Sequence, residues 1–167
     1  SLYTSKNITC IVVGEIYDSR IERKILSKSQ LVLNIFKYKG PKAACNLNGS
    51  YIFLIKDGNN YFFGTDTFSY LPLFYSLEDK VFYFSYDILY VKKNVRSHLD
   101  FNYHQIFSTV LCGGMGFSSE TKVDKIYKLD SGTCIKVNDK TIKKLCDNLF
   151  IYNPRYKSIN YHLEKVE

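Results

Sequence analysis

The chain has 167 residues, 46% of them hydrophobic, with 15 Tyr and 12 Phe. That length suits one domain with an ordinary core, and the aromatic load excludes the low-hydrophobicity composition of disordered chains. The formal charge of +7 comes from 23 Lys and Arg against 16 Asp and Glu, but the basic residues are scattered, with short pairs at Lys92-Lys93 and Lys143-Lys144. A nucleic-acid binder concentrates such charge in a patch or stripe, so no nucleic-acid partner is expected.

Five cysteines, Cys10, Cys45, Cys112, Cys134 and Cys146, form no Cys-x-x-Cys pair. Being odd in number, they indicate neither a zinc cage nor a complete disulfide framework. A reducing, cytoplasmic setting without a bound metal is therefore expected. There is no signal peptide and no apolar run of about 18 residues, so neither export nor a membrane span has support.

In chain order, Ile8 to Val13 reads as a buried β-branched strand ending at Gly14-Glu15-Ile16-Tyr17. A Gly at a strand end lets backbone approach a ligand, and the Glu15 carboxylate beside it could hold an amine. The same residues read equally well as a bulge with a surface Glu. Ser27 or Ser29 can cap a helix carrying Leu31, Val32, Ile35 and Phe36, ending near Gly40-Pro41. Tyr51 to Lys56 is an apolar run without alternation, which marks a central strand covered on both faces. Asp57-Gly58-Asn59-Asn60 turns it back into a strand from Tyr61 to Gly64.

Two further strands, Leu73 to Ser76 and Val81 to Ser85, follow at hairpin spacing. Asp87 to Val91 reads as a short helical or irregular turn, and Asp100 or Asn102 can cap a helix from Tyr103 to about Val110. The glycine-rich Cys112 to Gly116 lacks the Lys-Ser/Thr ending of a phosphate loop and is expected to be a plain loop. Lys125 to Leu129 and Thr133 to Val137 are predicted to form a hairpin, with Asn138-Asp139 leading into Thr141 to Leu145. From Asn153 the sequence is thinly apolar, like a linker or the start of an interdomain segment. His98, His104 and His162 stand apart from one another and from any patterned carboxylate or cysteine, and are expected to be surface or satisfied residues. The residues alone thus give a helix-covered α+β domain without an assembled active site.

The ordered set Val13-Gly14-Glu15-Ile16-Tyr17-Asp18, Leu31-Val32-Leu33, Leu47-Asn48-Gly49-Ser50-Tyr51-Ile52-Phe53, Asp57, Gly64-Thr65-Asp66, Pro72-Leu73-Phe74-Tyr75, Phe84-Ser85-Tyr86-Asp87-Ile88 and Ile126-Tyr127-Lys128-Leu129 with Gly132 resembles the N-terminal glutamine-amidotransferase domain of asparagine synthetase, over roughly residues 8 to 150. The resemblance implies an α+β, N-terminal-nucleophile hydrolase-like αββα sandwich of mainly antiparallel sheets, with residues 1–150 as the domain and 151–167 as a linker or the start of a synthetase segment. Active members hydrolyse glutamine with an N-terminal cysteine whose own amine is the base. An Asn-Gly pair forms the oxyanion hole, and the following Glu and a downstream Asp hold the amino-acid end of the substrate.

Against that pattern, the Asn is replaced by Val13 and the downstream Asp aligns with Lys28, in Ser27-Lys28-Ser29-Gln30. Losing one oxyanion donor costs roughly 100- to 1,000-fold in rate, and a lysine there would repel the substrate ammonium. Only thirteen residues precede Gly14, where an active domain carries a longer segment with its nucleophile. Ser1 lies on the wrong piece of chain to replace that nucleophile, and the nitrogen of Cys10 is in a peptide bond. No catalytic residue is therefore assigned, and Gly14 and Glu15 are expected to be the remnant of a glutamine pocket.

Kept scaffold with lost chemistry is similar to the degenerate domains of β-lactam synthetase and, more closely, of the lasso-peptide cyclases. The resemblance implies a non-catalytic domain beside an ATP-dependent synthetase domain or chain that acts on a peptide or small molecule. ATP and Mg would be bound in that associated domain and no cofactor in this chain. The rivals are a working glutaminase whose first segment lies elsewhere and a free-standing basic interaction or assembly subunit.

Overall fold

The computed structural model describes residues 1–5, 7–95, 100–112, 119–138 and 141–146. The loop from Gly113 to Gly116, His98, His162 and the segment from Asn153 lie outside them. Strand β1 (Leu2–Ser5) pairs with β2 (Ile8–Ile16). Along β2 the residues alternate: Cys10, Val12 and Ile16 are buried while Ile11, Val13 and Glu15 are exposed, as the two-residue period of a strand requires. Contrary to the sequence reading, β2 does not end at Gly14. It runs on to Ile16, because Gly14, Glu15 and Ile16 keep partners in Tyr51, Ser50 and Gly49 of the neighbouring strand.

Helix α1 (Ser19–Glu22) is a single turn capped by Asp18, whose carboxylate accepts the backbone N–H of Arg20 and a two-pronged bond from its guanidinium at 2.8 and 2.7 Å. Those charge-assisted bonds hold the Asp18 carboxyl down at about 2. Helix α2 (Lys28–Lys39) begins at Ser27 with a full capping box, Ser27 and Gln30 exchanging side-chain to backbone bonds. It buries Leu31, Val32, Leu33 and Ile35. At its end Gly40 takes φ +86° and Pro41 opens a separate helix α3 (Pro41–Cys45), using the ring's fixed φ at the first helical position.

Strands β3 (Gly49–Asp57) and β4 (Asn60–Thr65) form the expected hairpin through a two-residue loop with Gly58 at φ +56°. In β3, Tyr51, Ile52, Phe53 and Ile55 are all buried, so the doubly covered strand is present, with Lys56 already at the surface. Strands β5 (Phe74–Glu78) and β6 (Val81–Ser85) make a second hairpin. Its loop residues Asp79 and Lys80 both have positive φ, the demand of a type I′ turn. Asp87 caps α4 (Ile88–Asn94) and Asn102 caps α5 (Tyr103–Leu111).

Strands β7 (Tyr127–Lys128), β8 (Cys134–Val137) and β9 (Ile142–Cys146) complete the described chain. The sequence reading paired the segments holding β7 and β8 with each other. Instead β7 joins β5 and β8 joins β4, and residues 129–133 carry the chain from one sheet to the other.

The result is two wholly antiparallel sheets, in orders β1-β2-β3-β4-β8-β9 and β6-β5-β7. One core lies between the first sheet and α2 and α3, and includes Cys10, Val12, Leu31, Val32, Ala44, Tyr51, Phe53 and Ile55. A second core, with Ile52, Phe63, Leu73, Leu129, Ile135 and Val137, fills the space between the sheets. A third, with Val91, Val95 and Ile126, lies under α4 on the far side of the smaller sheet. The order of layers is therefore αββα.

Where β4 ends, the buried Asp66 accepts backbone N–H groups from Tyr51 at 3.1 Å, Phe68 at 2.8 Å and Ser69 at 2.9 Å. Its own backbone accepts Gly132 N–H at 2.7 Å and donates to the Tyr51 carbonyl. An Asp66→Ala variant takes the side-chain acceptor from the buried Tyr51 and Ser69 N–H groups and from the part-buried Phe68 N–H, while Ser69 N–H keeps the backbone carbonyl of residue 66, so a loss of about 1–3 kcal/mol is expected in urea unfolding.

Four of the five thiols are buried or half-buried, and burial pushes Cys10 from 9.0 up to about 12 and Cys134 and Cys45 up as well. For Cys45 the larger cause is its neighbour Cys146, with the sulfur atoms 4.0 Å apart. The core thus holds these thiols protonated, and that contribution is intact below the unfolded pKa and lost as pH rises through the folded one. The denaturant midpoint is expected to fall steadily between pH 9 and 12, the window of the Cys10 shift, and a flat profile there would contradict it.

Candidate functional site

The site residues expected from the sequence lie on the C-terminal half of β2, beside the N-terminus of α2. Gly14 has φ +101° in a full strand register. A Cβ there would run into the Ser50 carbonyl, the Leu71 side chain and the Tyr51 backbone. Glycine is thus required by the packing of β2 on β3 and Leu71, and the sequence argument for a strand end does not apply. A Gly14→Ala variant, strained in φ and blocked by immobile backbone, is expected to lose about 2 kcal/mol or more, readable as a lowered midpoint of thermal unfolding.

Glu15, the next residue, points its carboxylate away from the core and is 65% exposed. The Nζ of Lys28, the first residue of α2, sits 2.5 Å from Glu15 Oε2 and donates at 3.0 Å to the Gly14 carbonyl. Two residues thirteen positions apart in the chain therefore meet, because the Ser27 capping box fixes where α2 starts and the register with β3 fixes Glu15. The sequence reading named both residues but placed Lys28 as a source of repulsion only. No periodicity or spacing signal foretells the pairing.

Val13, on the same exposed face of β2 as Glu15, is 46% exposed and borders an apolar groove of about 280 Å³ together with Ile11, Ile52, Leu54, Phe84 and Tyr86. Its side chain offers no hydrogen-bond donor to this cleft. Cys10 faces the opposite way, fully buried against α2, and its protonated thiol is no nucleophile. The Ser1 hydroxyl oxygen accepts Ser29 N–H at 3.1 Å and lies 2.7 Å from the Ser29 hydroxyl, while Val12 N–H donates to the Ser1 carbonyl. Ser1 is thus engaged in anchoring β1 and β2 to α2. His104 is exposed, and among the described residues no group of three or more His, Cys, Asp or Glu could hold a metal ion. No helix among the described residues is long and apolar enough to cross a membrane.

The sequence pattern of the glutamine amidotransferase domain matches residues 3–148, nearly the whole described chain and both halves of the site. This chain belongs to the glutamine amidotransferase domain family. A solved structure of glutamine phosphoribosylpyrophosphate amidotransferase from B. subtilis, in complex with ADP and GMP, is similar over 87% of this chain with a TM-score of 0.53 and 12% identity. At that identity the likeness shows the fold, the αββα arrangement of mainly antiparallel sheets expected from the sequence. The chain corresponds to 30% of that protein's length. Comparison with curated proteins gives no match. Within this amidotransferase-family domain, Gly14 and Glu15 meet Lys28 at the end of β2, while Val13 borders the apolar groove, whose lining includes none of those three residues.

Proposed function

We propose that this amidotransferase-family domain is a non-catalytic scaffold whose glutamine pocket is closed by its own Lys28. The observation that carries the reading is the Lys28 ammonium seated on both Glu15 and the Gly14 carbonyl. By resemblance to active relatives, Glu15 is the group that would receive the ammonium of glutamine. Lys28 supplies the same chemical group from within the chain.

The exposed ion pair is worth only about 0.2–1 kcal/mol, so its effect on stability is minor. Its effect on binding is larger, because a tethered competitor acts at an effective concentration on the order of millimolar. Any glutamine that entered would displace one cation and face it at close range. With Val13 where relatives carry Asn, the cleft also lacks a side-chain donor for a developing oxyanion.

In this reading the domain packs on an ATP-dependent, amide-bond-forming synthetase domain or chain, which binds ATP and Mg and acts on a peptide or small molecule. The family membership, the fold and the altered pocket support it, in the manner of the degenerate domains of lasso-peptide cyclases and β-lactam synthetase. Function argued from a shared fold is analogy until a site is tested.

The test is isothermal titration of glutamine into the full-length protein and into its Lys28→Ala variant, alongside an assay for ammonia release. The wild type is expected to give no saturable heat and no glutamine-dependent ammonia. Lys28→Ala is expected to melt within about 1 kcal/mol of wild type, the worth of an exposed pair, while leaving Glu15 free. Ammonia release by the wild type at the rate of active relatives would reject the scaffold reading in favour of a working glutaminase.

A further inference from the structure

Among the described residues, strand β9 lies at the edge of the larger sheet and pairs with β8 alone. Its register with β8 is broken once. Val137, Lys136 and Ile135 face Ile142, Lys143 and Lys144 in turn, but Cys134 faces Cys146 rather than Leu145. A bulge of this kind re-aims the side chains beyond it. Strict alternation would put Cys146 on the face of Ile142 and Lys144. Ile142 does pack in the core between the sheets, whereas Leu145 and Cys146, neighbours in sequence, both pack in the core under α2 and α3.

That break sets the Cys146 thiol against the end of α3. Its sulfur lies 4.0 Å from the sulfur of Cys45, the last residue of α3, and 4.0 Å from the Gly132 carbonyl. The two cysteines are 101 positions apart in the chain. Cys45 has no exposed surface, while Cys146 is half-buried and so within reach of a small reagent. A third thiol, Cys134, stands opposite Cys146 in the strand register and is fully buried. Its sulfur is directed at the Ile135 carbonyl, at 3.9 Å. A disulfide holds its sulfur atoms about 2.05 Å apart, so Cys45 and Cys146 need an approach of about 2 Å. Rotation of the Cys146 side chain between staggered positions supplies a movement of that size.

We infer that Cys45 and Cys146 form a reversible thiol latch, closed by a low-molecular-weight disulfide, that fastens edge strand β9 to α3. Cys146, as thiolate, attacks one sulfur of the small disulfide, forming a mixed disulfide and expelling a small thiolate. Cys45 gives its proton to that thiolate and attacks the Cys146 sulfur, forming the Cys45–Cys146 bond. The second small thiolate leaves and takes up the proton that Cys146 lost. The protein pair is oxidised by two electrons, the small disulfide is reduced to two thiols, and excess small thiol reverses both steps. In a reducing compartment such a bond is a transient, sensing one rather than a permanent staple. The latch involves neither Glu15 nor Lys28, so it stands or falls separately from the scaffold reading.

The test uses the full chain carrying Cys112→Ser, because Cys112 at the end of α5 is exposed and would react first. The protein is incubated with oxidised glutathione, the reaction is stopped with acid, the remaining thiols are alkylated in denaturant, and the chain is mapped by mass spectrometry. A peptide pair joined through Cys45 and Cys146 is expected, and it disappears on treatment with dithiothreitol. Cys134→Ala is expected to keep this bond and Cys146→Ser to lose it. Because the bond closes a long loop, it is expected to raise the midpoint of thermal unfolding by roughly 5–10 °C, with no such rise in Cys146→Ser. Full alkylation of both Cys45 and Cys146, a reaction that stops at the mixed disulfide on Cys146, a bond joining Cys134 to Cys146 instead, or a Cys45–Cys146 bond that leaves the midpoint unraised would each overturn the inference.

Discussion

A carboxylate with no exposed surface, Asp66, sets the geometry on which the rest of the domain is hung. Buried charge is tolerated only when its oxygens are filled, and Asp66 fills them with backbone N–H groups from β3 and from the turn that follows β4. Its backbone also accepts Gly132, at the entry to β8. One residue thus pins the hairpin, the turn and the crossing between sheets. Tyr51, whose backbone is half of that arrangement, buries its ring beneath α2 and α3, and its hydroxyl donates to the Ala44 carbonyl at 2.5 Å. The helical layer and the strand core are therefore referred to the same two residues.

From that fixed frame β2 takes its position, and with it the place where Glu15 meets Lys28. Gly14 is held tight against Ser50 and Leu71, so the backbone of the cleft cannot be relaxed by substitution. Side chains on the open face of β2 carry no such constraint. There the chain has Val13 and a Glu15 paired with Lys28. A scaffold whose interior is rigid and whose cleft side chains are free can keep its shape while its chemistry changes, because the two depend on opposite faces of one strand.

The same division explains the groove. Core residues of β2 face α2, leaving Ile11 and Val13 to the space beside the smaller sheet. Among the described residues three strands do not span six, so Ile11 and Val13 stay part-exposed.

Local signals in the sequence settled a good deal. The unbroken apolar run in β3, the Gly58 turn, the helix starts near Ser27 and Asn102, and the β5–β6 spacing each depend on a few neighbouring residues, and each was legible because backbone sterics and capping act over that range. The one-turn helix α1 and the Pro41 helix α3 were too short to show a period. What remained was decided by the tertiary structure. Whether β7 and β8 pair with each other or separate into two sheets depends on which partners, β5 or β4, bury more on either side, and a turn sequence at Asp130 to Gly132 suits both. Gly14 looked like a strand end because the carbonyl and the leucine that forbid a side chain there come from Ser50 and Leu71, far along the chain. The charges of Glu15 and Lys28 were plain in the sequence, but their meeting was not, since it needs the helix start and the strand register to be fixed independently before two exposed side chains can touch.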